Sequence, residues 1–411
     1  MVTPVQPGLS RPAEPAPPGV PGASQEEIRR QNLGAVLRYV HVHGPTSRAE
    51  LTGRLGLNRS TIGALAADLA AAGLVTEEAE APTAARRAGR PSLVVSPRSD
   101  RVYAHALSIE ADRLRAARIG LGGRILDLRE ARRPSGMPVL DAVAPLAAFL
   151  RDMHRSVPDD ALLAGGAAAV ADTTRDGEGR IRIGAADEKL ADALRAELPD
   201  GPGFVTGDMA DIAAVAEHVR GVAAGVHDLI YLHGDLGVSA GIITGGRLVT
   251  GHRGHSGKVG HMVVNPEGLR CGCGSRGCWE TEIGEAALLR HAGRAAGERG
   301  AVLDVVRAAV GGEPTAGAAL GRVADWLGFG VANLVNLVNP DLVVFGGSLR
   351  EVYSAGAGVV RRRLDGVALP ASREHVQLRA AALGRDAALI GAAELAFGQL
   401  LADPLNAGVA G

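Results

Sequence analysis

All three cysteines of this 411-residue chain fall in one short run, Cys271-Gly-Cys273-Gly-Ser-Arg-Gly-Cys278-Trp279-Glu280, which begins ten residues after His261. Three thiolates and one imidazole make a complete tetrahedral donor set for a structural zinc ion, with no position left for water. A disulfide fits less well, because the cysteine count is odd and Cys271 and Cys273 are too close for easy bridge geometry. Three incidental thiols in a glycine-rich loop would have no reason to gather beside a spaced histidine. The run therefore predicts a closed Zn2+ site on His261, Cys271, Cys273 and Cys278, and thiols kept for metal fit a reducing cytoplasm.

The length allows two or three domains with their own cores. A formal net charge of −1 excludes a general polyanion binder, so any nucleic-acid contact is local. Only Lys189 and Lys258 are lysines among 44 basic residues, which singles out Lys258 wherever it falls. No run of about 18 apolar residues is present, so no membrane span is expected. Residues 1–23 are rich in Pro, Gly and Ala and read as a disordered tail and not as a signal peptide.

Residues 24–98 carry a helical pattern. Ser24 and Glu27 form a capping box, and Ile28, Leu33, Val36, Leu37 and Val40 follow at helix-face spacing. Gly44-Pro45 stops that helix. Thr46 or Ser47 caps a second one carrying Ala49, Leu51 and Leu55, and Gly56-Leu57-Asn58 turns into a third from Arg59 to Ala72, closed by Gly73. The stretch Thr46-Ser-Arg48-Ala-Glu-Leu, Leu57-Asn-Arg-Ser-Thr-Ile and Gly73-Leu-Val resembles winged-helix repressors. Asn58, Arg59, Ser60 and Thr61 stand where side chains reach base edges in a major groove, with Arg48 on the preceding helix. A wing tip carrying Arg86, Arg87 and Arg90 before Pro91 suits a narrow minor groove. The segment holds ten arginines against seven acids, 10 − 7 = +3, on a chain of −1. The bland alternative is a helical protein-interaction unit with Arg59 as a solvated charge.

From residue 99 to 411 strands alternate with helices. Val102–Ile109, Leu114–Ile119, Arg124–Leu128, Leu162–Val170, Leu229–His233, Gly237–Thr244 and Leu342–Phe345 read as strands. Val139–Met153 and Thr315–Asn339 read as helices. The class is α/β with mixed sheets.

Gly257-Lys-Val-Gly-His261 followed by Asn-Pro-Glu-Gly and CGCGSRGCWE resembles the zinc loop of the ROK family of sugar kinases and transcriptional repressors. That resemblance implies a two-lobed, actin-like, hexokinase-type ATPase fold with the zinc loop as a wall of the sugar pocket. It also implies operator DNA and a sugar or sugar phosphate as partners, in a homodimer or tetramer. Family kinases carry Asp-x-Gly-Gly-Thr in the first hairpin, where this chain has Ser108-Ile-Glu110-Ala-Asp112-Arg113. Gly237-Val-Ser239-Ala-Gly241 keeps the outer glycines of the second phosphate loop. The family's base segment aligns with Asp208-Met209-Ala-Asp211, with Met209 at the base position by the Glu217 register, or Asp208 after a one-residue slip. The pocket set is Asp208, Lys258, His261 and Glu280, Lys258 standing where the family has Glu. Lys258 either recognises an anionic ligand or pairs with a neighbouring carboxylate such as Glu280. The expected function is a sugar-responsive DNA-binding regulator, a repressor, without enzymatic activity. The alternatives are an active ATP-dependent sugar kinase with a DNA-binding head, and an oligomerisation scaffold that leaves no DNA footprint.

Overall fold

The computed structural model describes residues 24–79, 93–134, 136–171, 174–175, 181–182, 187–198, 203–235, 237–295 and 300–406. The terminal segment 1–23 and the arginines Arg86, Arg87 and Arg90 lie outside the described residues.

The head is built from local signals that agree with one another. Helix α1 (Gln25–His43) starts at the expected box, where Ser24 Oγ accepts from the Glu27 amide and the Glu27 carboxylate accepts from the Ser24 amide. It ends at Gly44, whose φ of 78° no branched side chain tolerates well. After β1 (Thr46–Ser47), Ser47 caps α2 (Arg48–Leu55), and Asn58 caps α3 (Arg59–Ala71). Strands β2 (Val75–Ala79) and β3 (Leu93–Pro97) complete an antiparallel sheet in the order β1-β3-β2. Leu33, Val36, Leu37, Val40, Leu51, Ile62, Leu65 and Leu69 bury the facing stripes. Ile28 departs from the periodicity: it is 47% exposed in the first turn of α1. Ala49 is exposed as well.

The body repeats one plan twice. The first half runs β4 (Val102–Ile109), β5 (Arg113–Gly120), β6 (Ile125–Arg132), α4 (Val143–His154), β7 (Leu162–Val170), β8 (Thr174–Arg175), β9 (Ile181–Arg182), α5 (Asp187–Glu197), β10 (Phe204–Asp208) and α6 (Met209–Arg220). The second runs β11 (Leu229–Gly234), β12 (Val238–Thr244), β13 (Arg247–Leu248), α7 (Glu280–Ile283), α8 (Glu285–His291), α9 (Ala301–Val310) and α10 (Pro314–Val338). It continues through β14 (Leu342–Gly347), α11 (Ser348–Val367), α12 (Pro370–Arg373), β15 (Gln377–Ala380), α13 (Ala387–Ala396) and α14 (Gly398–Ala402). The sheets are ordered β6-β5-β4-β7-β10 and β13-β12-β11-β14-β15. In each, three strands meander antiparallel and two more add in parallel to the first of them.

The sequence reflects those places. Every residue of β4 is buried, as a central strand covered on both faces requires, whereas β6 at the edge alternates toward its end. Helix α6 buries Ala210, Ala213, Ala214 and Ala216 and lies between β12 and α13. Those neighbours meet it at glycines: a methyl at Gly241 would strike the Ala210 carbonyl, and one at Gly391 the Ile212 carbonyl. Leu400 and Leu401 of α14 join the cluster that holds Leu33, Val36 and Leu37, so the head's apolar core is continuous with that of the first lobe.

Gly391→Ala is expected to cost about 2 kcal/mol, because α13 must lift off α6 to admit the methyl. A urea titration reads this as a lower midpoint at unchanged slope; an unchanged midpoint would show that the two helices are not in tight contact.

Candidate functional site

The cysteine run folds onto the second lobe through Trp279. Its fully buried ring packs against α10 beside Gly330, and its Nε1 donates to the Trp326 carbonyl at 2.9 Å. That anchor gathers one ligand atom each from His261, Cys271, Cys273 and Cys278, all within 4.8 Å of one another. Cys273 Sγ lies 3.6 Å from Cys278 Sγ, and Cys271 Sγ lies 3.7 Å from His261 Nδ1. Tetrahedral edges around a metal with sulfur ligands at about 2.3 Å are about 3.8 Å, so the four atoms could hold one ion. His261 faces the cluster with Nδ1, leaving Nε2 on the far side of the ring. Glu280, the first residue of α7, accepts from Cys271 Sγ at 2.8 Å.

The cleft residues come from both lobes. Asp208 ends β10 and caps α6 through the Ala210 amide, at 2.8 Å. Its other oxygen, Oδ2, pairs with Lys258 Nζ of the second lobe at 2.7 Å. The partner expected for Lys258, Glu280, is instead engaged beside the cysteines, because α7 starts on the metal-cluster side of the loop. Met209 is 3% exposed in the first-lobe core, and the carboxylate that reaches Lys258 is that of Asp208. Asp211, one turn along α6, is buried beside it, a residue the sequence reading left without a role. Burial first, then the Asp208 charge, push the Asp211 carboxyl up to about 7 against the opposing Lys258.

A second group of acids gathers between the two lobes. Glu110 follows β4 and accepts from Ser108 Oγ at 3.1 Å. Burial pushes it up to about 7; Arg115 and the Ser108 bond oppose, and Asp235 and Asp112 add to the rise. Glu285, opening α8 in the other lobe, is also pushed up to about 7 by burial and the charges of Asp235 and Asp112. Acids from both lobes, Glu110 and Asp112 of the first and Asp235 and Glu285 of the second, thus gather close enough to act on one another.

On the head, Arg59 and Ser60 are exposed at the start of α3 and Thr61 is half-buried. Asn58 Oδ1 accepts from the Thr61 amide at 2.8 Å and from Ser60 Oγ at 2.7 Å, so its oxygen serves the helix cap. Arg48 makes a two-pronged pair with Glu77 of β2 at 2.6 and 2.5 Å. That pair ties α2 to the sheet and engages the guanidinium expected to face DNA.

Two lobes built on one strand plan around a cleft define the mixed α/β, actin-like kinase-type fold. The ROK family model matches residues 107–399, and the chain belongs to that family. Over 381 residues it is 24% identical to the xylose repressor of Bacillus spizizenii, across 92% of this chain and 98% of that protein. The glucokinase of Halalkalibacterium halodurans is 32% identical over 226 residues, 51% of this chain and 68% of that enzyme. A solved ROK family transcriptional regulator, a homolog of the E. coli MLC protein, shares the fold with a TM-score of 0.72 at 22% identity, covering 92% of this chain and 98% of its own.

The raised carboxyls set a pH dependence. Glu285 keeps its proton to about pH 7 when folded, while its ordinary value is 4.5. The stability this contributes is full below about pH 4 and is lost as pH rises through about 7. Glu285→Gln should therefore flatten the fall in Tm between about pH 5 and 8. An unaltered Tm profile would place Glu285 in water.

Proposed function

We infer that this chain is a sequence-specific DNA-binding transcriptional regulator, a repressor, whose body answers to a sugar or sugar derivative. The observation that carries the reading is the breadth of the repressor match: it takes in 92% of the chain, against 51% for the glucokinase. Residues 24–98 form a winged helix-turn-helix head, and residues 99–411 the ROK body. Arg59, Ser60, Asn58 and Thr61 enter the major groove, Arg86, Arg87 and Arg90 the minor groove, and Arg48 holds α2 to the wing. Homodimers or tetramers pair two heads on a two-fold operator in the cytoplasm.

The cleft takes the effector on Asp208, Lys258, His261 and Glu280. Since Lys258 and Asp208 neutralise each other, a ligand has to replace both halves of that pair. A sugar hydroxyl donating to Asp208 and an anionic group accepting from Lys258 would do so, which favours a sugar phosphate or sugar acid. The four-ligand cluster takes a structural Zn2+ that stiffens the cleft wall. Phosphotransfer is absent in this reading, because Glu110, Asp112, Asp235 and Glu285 gather where polyphosphate would need cations, Glu110 and Glu285 adding charge as pH rises through about 7, and Asp208 is charge-paired.

A footprint over the gene's own promoter region tests the assignment, repeated with sugars and their phosphates. Arg59→Ala should weaken specific binding by about 1–3 kcal/mol; a footprint of equal strength would remove α3 from the groove. For the metal, the wild-type chain should carry one zinc per protomer. Cys273→Ser should lose it and melt about 4–8 °C lower. A fully loaded Cys273→Ser protein would rule out the four-ligand set.

A further inference from the structure

Between head and body lies a buried polar cluster drawn from four separate parts of the chain. His41, in the last turn of α1, is fully buried beside Glu394 of α13 and Arg220, the final residue of α6. The Gly122 amide, in the turn between β5 and β6, donates to His41 Nδ1 at 2.9 Å. That fixes the tautomer: Nε2 carries the proton and gives it to Glu394 Oε2 at 2.9 Å. Arg220 Nε donates to Glu394 Oε1 at 2.6 Å and Nη1 to the Gly122 carbonyl at 3.0 Å. Arg220 Nη2 lies 2.7 Å from His41 Nε2, but a protonated nitrogen cannot accept, so its bond goes to the His41 carbonyl at 3.1 Å. Burial would raise the Glu394 carboxyl, yet the hydrogen bond from His41 and the charge and hydrogen bond of Arg220 hold it below its ordinary range.

Arg220 is one end of α6, and the other end is Asp208, the cap residue paired with Lys258 across the cleft. Twelve residues, about 18 Å of helix, connect the cleft pair to the head cluster. The helix has little room to bend or slip locally, because Gly241 and Gly391 bring backbone against it on both sides. Glu217, fully buried, accepts from the Val222 amide at 2.9 Å and the Leu383 amide at 2.8 Å. It thereby ties α6 to the segment that leads into α13, which carries Glu394.

We propose that α6 is a rigid coupling rod: opening the Lys258–Asp208 pair in the cleft shifts α6, and Arg220 passes the shift to the head through His41 and Glu394. This rests on the cleft being the ligand site of a DNA-binding regulator. Arg220 and His41 are positioning residues, touching neither ligand nor DNA. Packed helices tend to move as units between discrete arrangements, which suits them to this task.

Hydrogen exchange on the full-length chain tests it without knowing the effector, since the Gly122 amide bonds to His41 Nδ1 itself. Lys258→Met, and Asp208→Asn, which keeps a capping oxygen, should each speed exchange at Gly122 and the end of α1 by about fivefold or more. In an Arg220→Met background, or Glu394→Gln if that variant does not fold, Lys258→Met should add under about twofold. Unchanged Gly122 exchange in Lys258→Met and Asp208→Asn, or equal increments in both backgrounds, overturns the rod. If exchange responds as expected but the wild type leaves no footprint, the rod stands and the regulator reading falls.

Discussion

Backbone-to-backbone packing of α6 is the constraint on which the rest of the structure depends. Its alanine faces meet β12 on one side and α13 on the other, each across a glycine where no methyl fits. A helix held this closely cannot adjust residue by residue, so whatever moves Asp208 moves Arg220. The same packing explains why the head is not a loose appendage. His41, Glu394 and Arg220 satisfy one another in a buried cluster, and removing Arg220 or Glu394 leaves the other's charge unpaired, a costly outcome away from water.

Electrostatics divides the cleft into two regions with different capabilities. In one, Asp208 and Lys258 pair across the lobes, with Asp211 held protonated beside them to about pH 7. A ligand there has to offer both a donor and an acceptor. In the other, Glu110 and Glu285 are half-buried acids whose carboxyls burial raises to about 7, with the charges of Asp112 and Asp235 adding to the rise. The body keeps a kinase-type frame.

The parts of this arrangement legible in the sequence are those encoded by neighbours. Ser24 with Glu27, Gly44, Ser47 and Asn58 place three helices almost to the residue, and the cysteine spacing gives the four-ligand cluster directly. The mostly apolar run of β4, broken by His105 and Ser108, and the apolar stripe of α10 mark the centres of the body in the same way. What escaped is non-local. Residues 41, 220 and 394 share no pattern in the chain, and only the folded topology brings them together. Lys258 stood out by rarity, but its partner Asp208 lies 50 positions away, whereas Glu280 seemed nearer by sequence. The pairing of Arg48 with Glu77 was hidden in the same way, because it depends on how the sheet returns past α2. Asp211 carried no local signal, since its raised carboxyl comes from depth of burial and from Asp208.

The central claim is that the lobes keep the frame of a phosphotransferase while their cleft charges reject its nucleotide. Calorimetric titration of Mg-ATP, alone and with saturating glucose, tests it most directly. The account predicts no saturable binding up to about 1 mM, a free energy weaker than about −4 kcal/mol. Micromolar Mg-ATP binding that tightens with glucose, accompanied by ADP release, would contradict it.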